Sequence, residues 1–362
     1  MKSILLTSTA LVAFAGAAAA DGHASVSYGL GATLGYNDTV AATDDNNEGF
    51  YWEGNLKATA SAALDNGVTA GAYFEVTVAE DDGDASDDGG IALSSSDWVV
   101  SLESDMASLY FGDTSTAATK HWVSAGDMEA DDFTTGTDSA VLRGDVSFAG
   151  FDTSLSYIYD DDSNELEQLS LGAAGSFGAF TVSAGYQADT DFADASGDFN
   201  ASEVYGISVG GTFAGATVTA GYASNETNGE ASTGIKLAYP FGPVTAEVYY
   251  VMEEVGDDNY GVKVTYDANG IAVTAAYRDE QGRPEYNIDA SYDLGNGLVA
   301  IGGILNENEG DDIDYYVGAT YDLGGGASVL MTYAGDEDGD QADEIGAGDY
   351  QEGITVEVSF AF

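Results

Sequence analysis

The sequence predicts an all-β fold, a closed antiparallel transmembrane β-barrel, and three observations carry that prediction. Segments of roughly ten residues alternate apolar and polar side chains with period two. Tight turns, eight of the nine with glycine, and longer, often acidic connections take turns along the chain. The Lys and Arg residues borne on strands fall on one phase of the alternation, opposite the apolar residues.

Composition sets the frame for these patterns. Of 362 residues, 44% are hydrophobic and 11% aromatic, enough apolar surface to drive folding despite a net charge of −55. Gly is plentiful (48) and Pro scarce (3), a balance suited to strands and turns rather than helices. With 63 Asp and Glu against 8 Lys and Arg there is no basic patch to neutralise phosphates, so a nucleic-acid partner is excluded. Cysteine is absent and the two histidines, His23 and His121, stand apart in the sequence. Thiolate metal sites, cysteine nucleophiles and histidine-based triads are thereby lost, and neither an enzyme nor a resident cofactor is expected. Runs such as Asp82-Gly83-Asp84 and Asp336-Glu337-Asp338 lack the glycine spacing of a calcium loop. They leave room only for calcium or magnesium shared with surface lipopolysaccharide.

Residues 1–20 read as a secretory signal peptide, with Lys2 as the positive start, an apolar stretch from Ile4 to Gly16, and cleavage after Ala20. The remainder, 21–362, shows no composition break and is expected to form a single barrel domain. It has no apolar run long enough for a spanning helix, which needs roughly 18 residues.

The last strand shows the alternation most clearly, with Ile354, Val356, Val358, Phe360 and Phe362 on one phase and Thr355, Glu357 and Ser359 on the other. Val244, Ala246, Val248, Tyr250 and Met252 repeat it, opposite Glu247 and Glu253. Nine tight turns are predicted, at Asp65-Asn66-Gly67, Asp105-Met106, Ala149-Gly150, Phe177-Gly178, Ala214-Gly215, Gly242-Pro243, Asn269-Gly270, Asn296-Gly297 and Gly324-Gly325. The intervening connections are longer, and those at 80–88, 189–203, 306–314 and 336–349 are strongly acidic. Short turns on one side and long loops on the other are the mark of a membrane barrel; the count gives an even number of roughly 16 to 20 strands, nearer twenty.

On the apolar phase a charge near the membrane midplane costs about 2–4 kcal/mol, so strand-borne cations belong on the other phase. Lys57, Arg143, Lys236, Lys263 and Arg278 all obey this rule and point inward, while Lys120 and Arg283 are assigned to longer connections. Tyr28, Tyr36, Tyr73, Tyr186, Tyr222, Tyr239, Phe241, Tyr277 and Tyr292 lie at or near strand ends, the positions of interfacial aromatic girdles. The third long connection, 115–138, differs from the rest. It carries Trp122, Val123, Met128 and Phe133 among its acids, and an exterior loop has no use for such side chains, so inward folding against the wall is expected.

These features together resemble the general-diffusion porins of Gram-negative outer membranes, most closely the alphaproteobacterial type. The specific elements are the terminal Phe362 on an alternating strand, the run LYFGDTSTAATKHW at 109–122, and the stretch YDLGGGAS at 321–328. The resemblance implies a passive channel for small hydrophilic solutes and ions in the outer membrane, with lipid and lipopolysaccharide around it and a homotrimeric assembly, and the excess of 63 acidic over 8 basic side chains adds the expectation that it prefers cations. It implies that Asp113, Asp127, Glu129, Asp131 and Asp132 form the acidic side of a pore constriction, facing a basic wall drawn from Lys57, Arg143, Lys236, Lys263 and Arg278. It also implies that Phe360 and Phe362 are read by the barrel-assembly machinery. Family members usually have fewer strands than are counted here, and the basic residues are spread singly over several strands. Two alternatives stand beside this reading: a substrate-specific porin, which needs a lumenal aromatic ladder, and a secreted acidic β-protein of adhesin or surface-layer type.

Overall fold

A computed structural model of the chain describes residues 24–39, 49–65, 67–80, 91–136, 140–160, 165–190, 199–306, 313–336 and 345–362. The signal peptide and its cleavage site, His23, and the connections 81–90, 191–198, 307–312 and 337–344 lie outside these residues.

Twenty strands form one sheet. The first ten are β1 (Ala24–Asn37), β2 (Phe50–Ala63), β3 (Thr69–Glu80), β4 (Ile91–Glu103), β5 (Ala107–Gly112), β6 (Ala140–Phe148), β7 (Phe151–Asp160), β8 (Glu165–Phe177), β9 (Phe180–Thr190) and β10 (Phe199–Phe213). The second ten are β11 (Ala216–Asn225), β12 (Glu230–Phe241), β13 (Val244–Glu253), β14 (Asn259–Ala268), β15 (Ile271–Glu280), β16 (Arg283–Gly295), β17 (Leu298–Asn306), β18 (Asp314–Gly324), β19 (Ala327–Gly335) and β20 (Gly353–Ala361). Each pairs antiparallel with the next, and β1 pairs with β20 from Gly31↔Ala361 to Asn37↔Thr355, so the sheet closes on itself. The terminal residue continues that seam: Phe362 N donates to Leu30 O at 2.8 Å, and Leu30 N donates to Phe362 O at 3.1 Å.

All nine predicted tight turns join consecutive strands. At Ala149-Gly150, Ala214-Gly215, Asn269-Gly270 and Asn296-Gly297 both central residues have positive φ, between 52° and 88°. That is the mirror-image hairpin turn whose twist matches the strands it joins. The connection between β15 and β16 departs from the expectation. It is a two-residue turn, Gln281-Gly282, also at positive φ, on the side otherwise occupied by longer connections. Arg283 therefore opens β16, paired with Glu280, rather than lying in a long loop. The sequence hid this because Gln281-Gly282 sits among charged residues that read as loop.

Two faces separate as the alternation requires. Leu30, Phe74, Leu171, Ile207, Ile235, Tyr250, Val317 and Phe360 are exposed on one face. Lys57, Arg143, Lys236, Lys263 and Arg278 occupy the alternate positions on the other. Tyr73 corrects the girdle assignment. It shares the polar face with Lys57 and Glu75, and its hydroxyl donates to the Glu75 carboxylate. The apolar face at that height is held instead by Phe74.

Candidate functional site: a connection seated on the polar face

The residues between β5 and β6 leave the sheet at a point only glycine permits. Gly112 has φ +128°, and a Cβ there would lie 2.1 Å from the Trp98 carbonyl oxygen. Because β5 departs after Val99↔Gly112, the main-chain groups of Trp98 lose their ladder partners. Asp113 replaces them: its N donates to Trp98 O at 2.8 Å, and its Oδ2 accepts from Trp98 N at 2.6 Å. The carboxylate of Asp113 is thus spent on the exit from the strand.

A one-turn helix follows, α1 (Ala117–His121), capped by Thr116, whose side chain accepts from Thr119 N. Its first free N–H groups find the wall. Ala117 N donates to Ser156 Oγ and Ala118 N to Ser170 Oγ, both at 2.8 Å, while Ser183 Oγ donates to His121 O at 2.6 Å. These serines lie on the polar face of β7, β8 and β9, opposite the exposed Leu155 and Leu171. Close approach depends on Gly172, where a Cβ would stand 1.9 Å from Ala117 O. The same face of β9 to β12 carries Gly185, Gly206, Gly221 and Gly234, whose missing side chains admit Phe133, Trp122 and Ala125. One glycine per strand makes a trough across the wall.

Arg143 and Asp145, two residues apart on β6, fasten the start of the connection. Arg143 Nη1 donates to Thr114 Oγ1 (2.8 Å), Ser115 O (2.5 Å) and Ser115 Oγ (2.9 Å), and its Nε donates to Asp145 Oδ1 (3.1 Å). Lys120 Nζ bonds Asp145 Oδ2 at 2.5 Å, and Ser154 Oγ donates to Asp145 Oδ1 at 2.6 Å. With that hydrogen committed, Ser154 Oγ can only accept from His121 Nε2, 2.7 Å away, which assigns the imidazole proton to Nε2. Burial, followed by the neighbouring Lys120 charge, holds the His121 pKa below its ordinary value. The sequence did not single out Asp145; its signal was its place on the polar phase two residues from Arg143.

The later half of the connection is held by carboxylates and amides. Trp122 Nε1 donates to Asp131 Oδ2 at 2.8 Å, and its ring meets Phe133 with centroids 5.6 Å apart. Ala130 N donates to Ser232 Oγ at 2.9 Å, Glu129 N to Glu253 Oε1 at 3.2 Å, and Asn259 Nδ2 to Glu129 Oε1 at 2.8 Å. Asp132 is exposed. Asp127 borders a recess with Lys236, Glu247, Tyr249, Lys263 and Arg278.

The predicted acidic and basic residues are therefore brought together only in part. Asp127, Glu129, Asp131 and Asp132 share one stretch of the connection, and Asp113 lies apart at its start. Lys236, Lys263 and Arg278 gather beside Asp127, Arg278 being paired with Glu285. Arg143 is buried under the connection, and Lys57 is on β2, 3.1 Å from Glu75. Among the described residues, no group of His, Cys, Asp and Glu side chains is arranged to hold a metal ion.

Burial raises the Asp131 pKa against the opposing hydrogen bond from Trp122. A carboxylate with a raised folded pKa stabilises the fold below its unfolded pKa and loses that contribution as pH climbs through the folded value. Asp131→Asn keeps the acceptor for Trp122 without the desolvated charge. Its melting temperature at pH 7 should equal or exceed that of the parent, whereas Asp131→Leu should cost about 1–3 kcal/mol by orphaning the indole N–H. A marked loss of thermal stability in the Asn variant at pH 7 would contradict this account.

The model of a family described as Gram-negative porin matches residues 7–358. Among solved structures, two engineered variants of the Rhodopseudomonas blastica porin are each 16% identical to the chain. Each alignment covers 94% of this chain and 100% of the other, with TM-scores of 0.47 and 0.48. No curated protein sequence matches the chain.

Proposed function

The chain belongs to the Gram-negative porin family of non-enzymatic outer-membrane channels, and from that premise we propose that it is a cation-preferring pore for passive diffusion of small hydrophilic solutes, narrowed by the connection between β5 and β6. The observation that carries this reading is the seating of residues 113–136 on the face opposite the exposed apolar residues. In a membrane the apolar face meets lipid, because charge there costs about 2–4 kcal/mol at the midplane, and the polar face encloses water. A connection packed on that face takes up part of the water path. Its acids Asp127, Glu129, Asp131 and Asp132 then stand at the narrowing, in a chain with 63 acidic and 8 basic side chains. The wall cations Lys236, Lys263 and Arg278 temper that field beside Asp127; Lys57 does so from β2. Asp113 and Arg143 serve as positioning residues, since their polar groups are engaged in holding the connection.

The tight turns belong on the periplasmic side and the acidic connections outside, where divalent cations can bridge them to lipopolysaccharide. Gly54, Ala58, Ala60 and Ala62 form a small-residue patch on the apolar face of β2 that suits packing between copies in a homotrimer. Residues 1–20 serve as the export signal, removed after Ala20. The secreted adhesin or surface-layer reading gives way to the family match. Reconstitution in a planar bilayer tests the proposal: stepwise, ohmic conductance is expected, and folded protein that inserts without conducting would overturn it.

Assembly gives a further expectation. Phe360 and Phe362 stack on the apolar face at the closing seam, and both backbone bonds between Leu30 and Phe362 depend on the last residue. Deleting Phe362 should sharply reduce the heat-modifiable, membrane-inserted form in cells. Parental amounts of folded barrel from the deletion variant would remove Phe362 from any role in assembly.

A further inference from the structure

Residues 345–350 also pack on the polar face. The residues before β20 include Ile345, which is buried with Leu305 of β17, Tyr316 of β18 and Ala334 of β19, while Tyr350 packs against the same cluster. Leu305 alternates with the exposed Ile304, Tyr316 with the exposed Val317, and Ala334 with the exposed Tyr333, so the cluster lies opposite the apolar face. Ile345 and Tyr350 bridge each other by backbone bonds of 3.0 and 3.1 Å, closing a short loop whose tip, Ala347 to Asp349, is exposed. Gly346, at φ +71°, lies so close to Tyr316 that a Cβ would be 2.3 Å from its ring. The Tyr316 and Tyr350 rings meet at 4.7 Å, and the Tyr316 hydroxyl donates to Asp289 Oδ1 at 2.8 Å.

The wall is adapted to this cover. β17 breaks the alternation: Val299, Ile301 and Leu305 put apolar side chains on its polar phase, where a bare water-lined wall gains nothing from them. Gly303 leaves the space that the Tyr316 ring fills, since a Cβ there would stand 2.4 Å from it. The seat lies toward the ends of β17 and β18 nearest the long connections, whereas the trough under α1 crosses the middle of β8 to β12. The two seats occupy different sectors of the ring and different heights.

We infer that residues 345–350, ahead of β20, form a second narrowing, anchored by Ile345 and Tyr350 at the long-connection mouth and in series with the narrowing made by residues 113–136. This rests on the reading that the polar face encloses the water path. A solute entering from the loop side then meets an aromatic and acidic shelf, made by Tyr350, Asp349 and Asp289, before it reaches the acidic stretch around Asp127.

The chain has no native cysteine, so single thiols can be placed without background. Ala347→Cys puts a thiol on the exposed tip, and Val123→Cys puts one on the exposed part of the first narrowing. A cationic methanethiosulfonate reagent added to open channels should lower the conductance of each variant by roughly 1.2- to 2-fold, as for resistances in series, and a reducing agent should restore it. The double variant Ile345→Ser with Tyr350→Ser should raise conductance over a similar range. A response from Val123→Cys with none from Ala347→Cys, in channels of parental conductance, would overturn the second narrowing and leave the first intact. Silence from both variants, with labelling verified by mass, would overturn the shared premise as well.

Discussion

Replacing Gly172 with valine should open the channel. The Cβ of any residue at this position falls 1.9 Å from the Ala117 carbonyl oxygen and 2.7 Å from its carbon. Those atoms are backbone of α1, so no rotamer change relieves the clash, and the helix must lift from β8. Lifting it sacrifices the bonds from Ala117 N to Ser156, from Ala118 N to Ser170 and from Ser183 to His121 O, each worth about 1 kcal/mol net. The barrel itself should survive, because valine suits a strand and its neighbours on β7 and β9 are small. With the narrowing displaced, single-channel conductance should rise roughly twofold and become noisier, as expected when the main series resistance is relieved. Valine at this position with unchanged conductance would mean that the connection does not limit flow. Alanine should give the same direction with a smaller change.

Arg143→Met should loosen the same connection from its other anchor. The guanidinium is buried, lies over the Tyr110 ring at 4.9 Å, and donates to Thr114 and Ser115 as well as to Asp145. Removing it leaves Asp145 with Lys120 and Ser154 and leaves the Ser115 carbonyl without its charged donor. Breaking one side of a buried ion pair typically costs about 3–5 kcal/mol. Arg143→Lys should recover part of this loss, since one ammonium cannot span the set of acceptors that the planar fork reaches. Thermal stability should therefore fall in the order parent, Lys variant, Met variant, and added protease should cut between residues 113 and 136 most readily in the last. A Met variant as stable and as resistant as the parent would show that the Arg143 bonds contribute nothing to seating.

The strands are legible because a two-sided wall imposes alternation on nearly every element that crosses it, β17 being the exception. Eight of the nine tight turns are legible because they carry glycine, the residue that takes positive φ most easily; Asp105-Met106 is legible only by its place between two alternating runs. Periodicity assigns a side chain to a face, however, and not to a partner. It places Arg143 on the polar phase but does not say that Ser115 and Asp145 bond it, or that Asp113 is consumed by Trp98. Trp122 and Phe133 mark the connection that packs on the polar face, because apolar side chains are conspicuous in an acidic run. Ile345 and Tyr350 carry the same signal within the last connection, diluted by the acids around them, and the apolar inner phase of β17 is its counterpart on the wall. Tyr73 and Arg283 were misplaced for a related reason: composition near a strand end does not reveal where the strand stops or which face its last residues take.

The reversal potential under a KCl gradient reads out a water-filled path whose narrowing carries excess negative charge. At 0.15 M salt the Debye length is about 8 Å, so the carboxylates of Asp127, Glu129 and Asp132 act across a narrow opening; at 1 M it is about 3 Å and they do not. The potential should be cation-selective at low salt and should shrink at high salt. It should shrink further when these three residues are changed to Asn, Gln and Asn. An anion-selective potential at low salt would contradict that excess of negative charge.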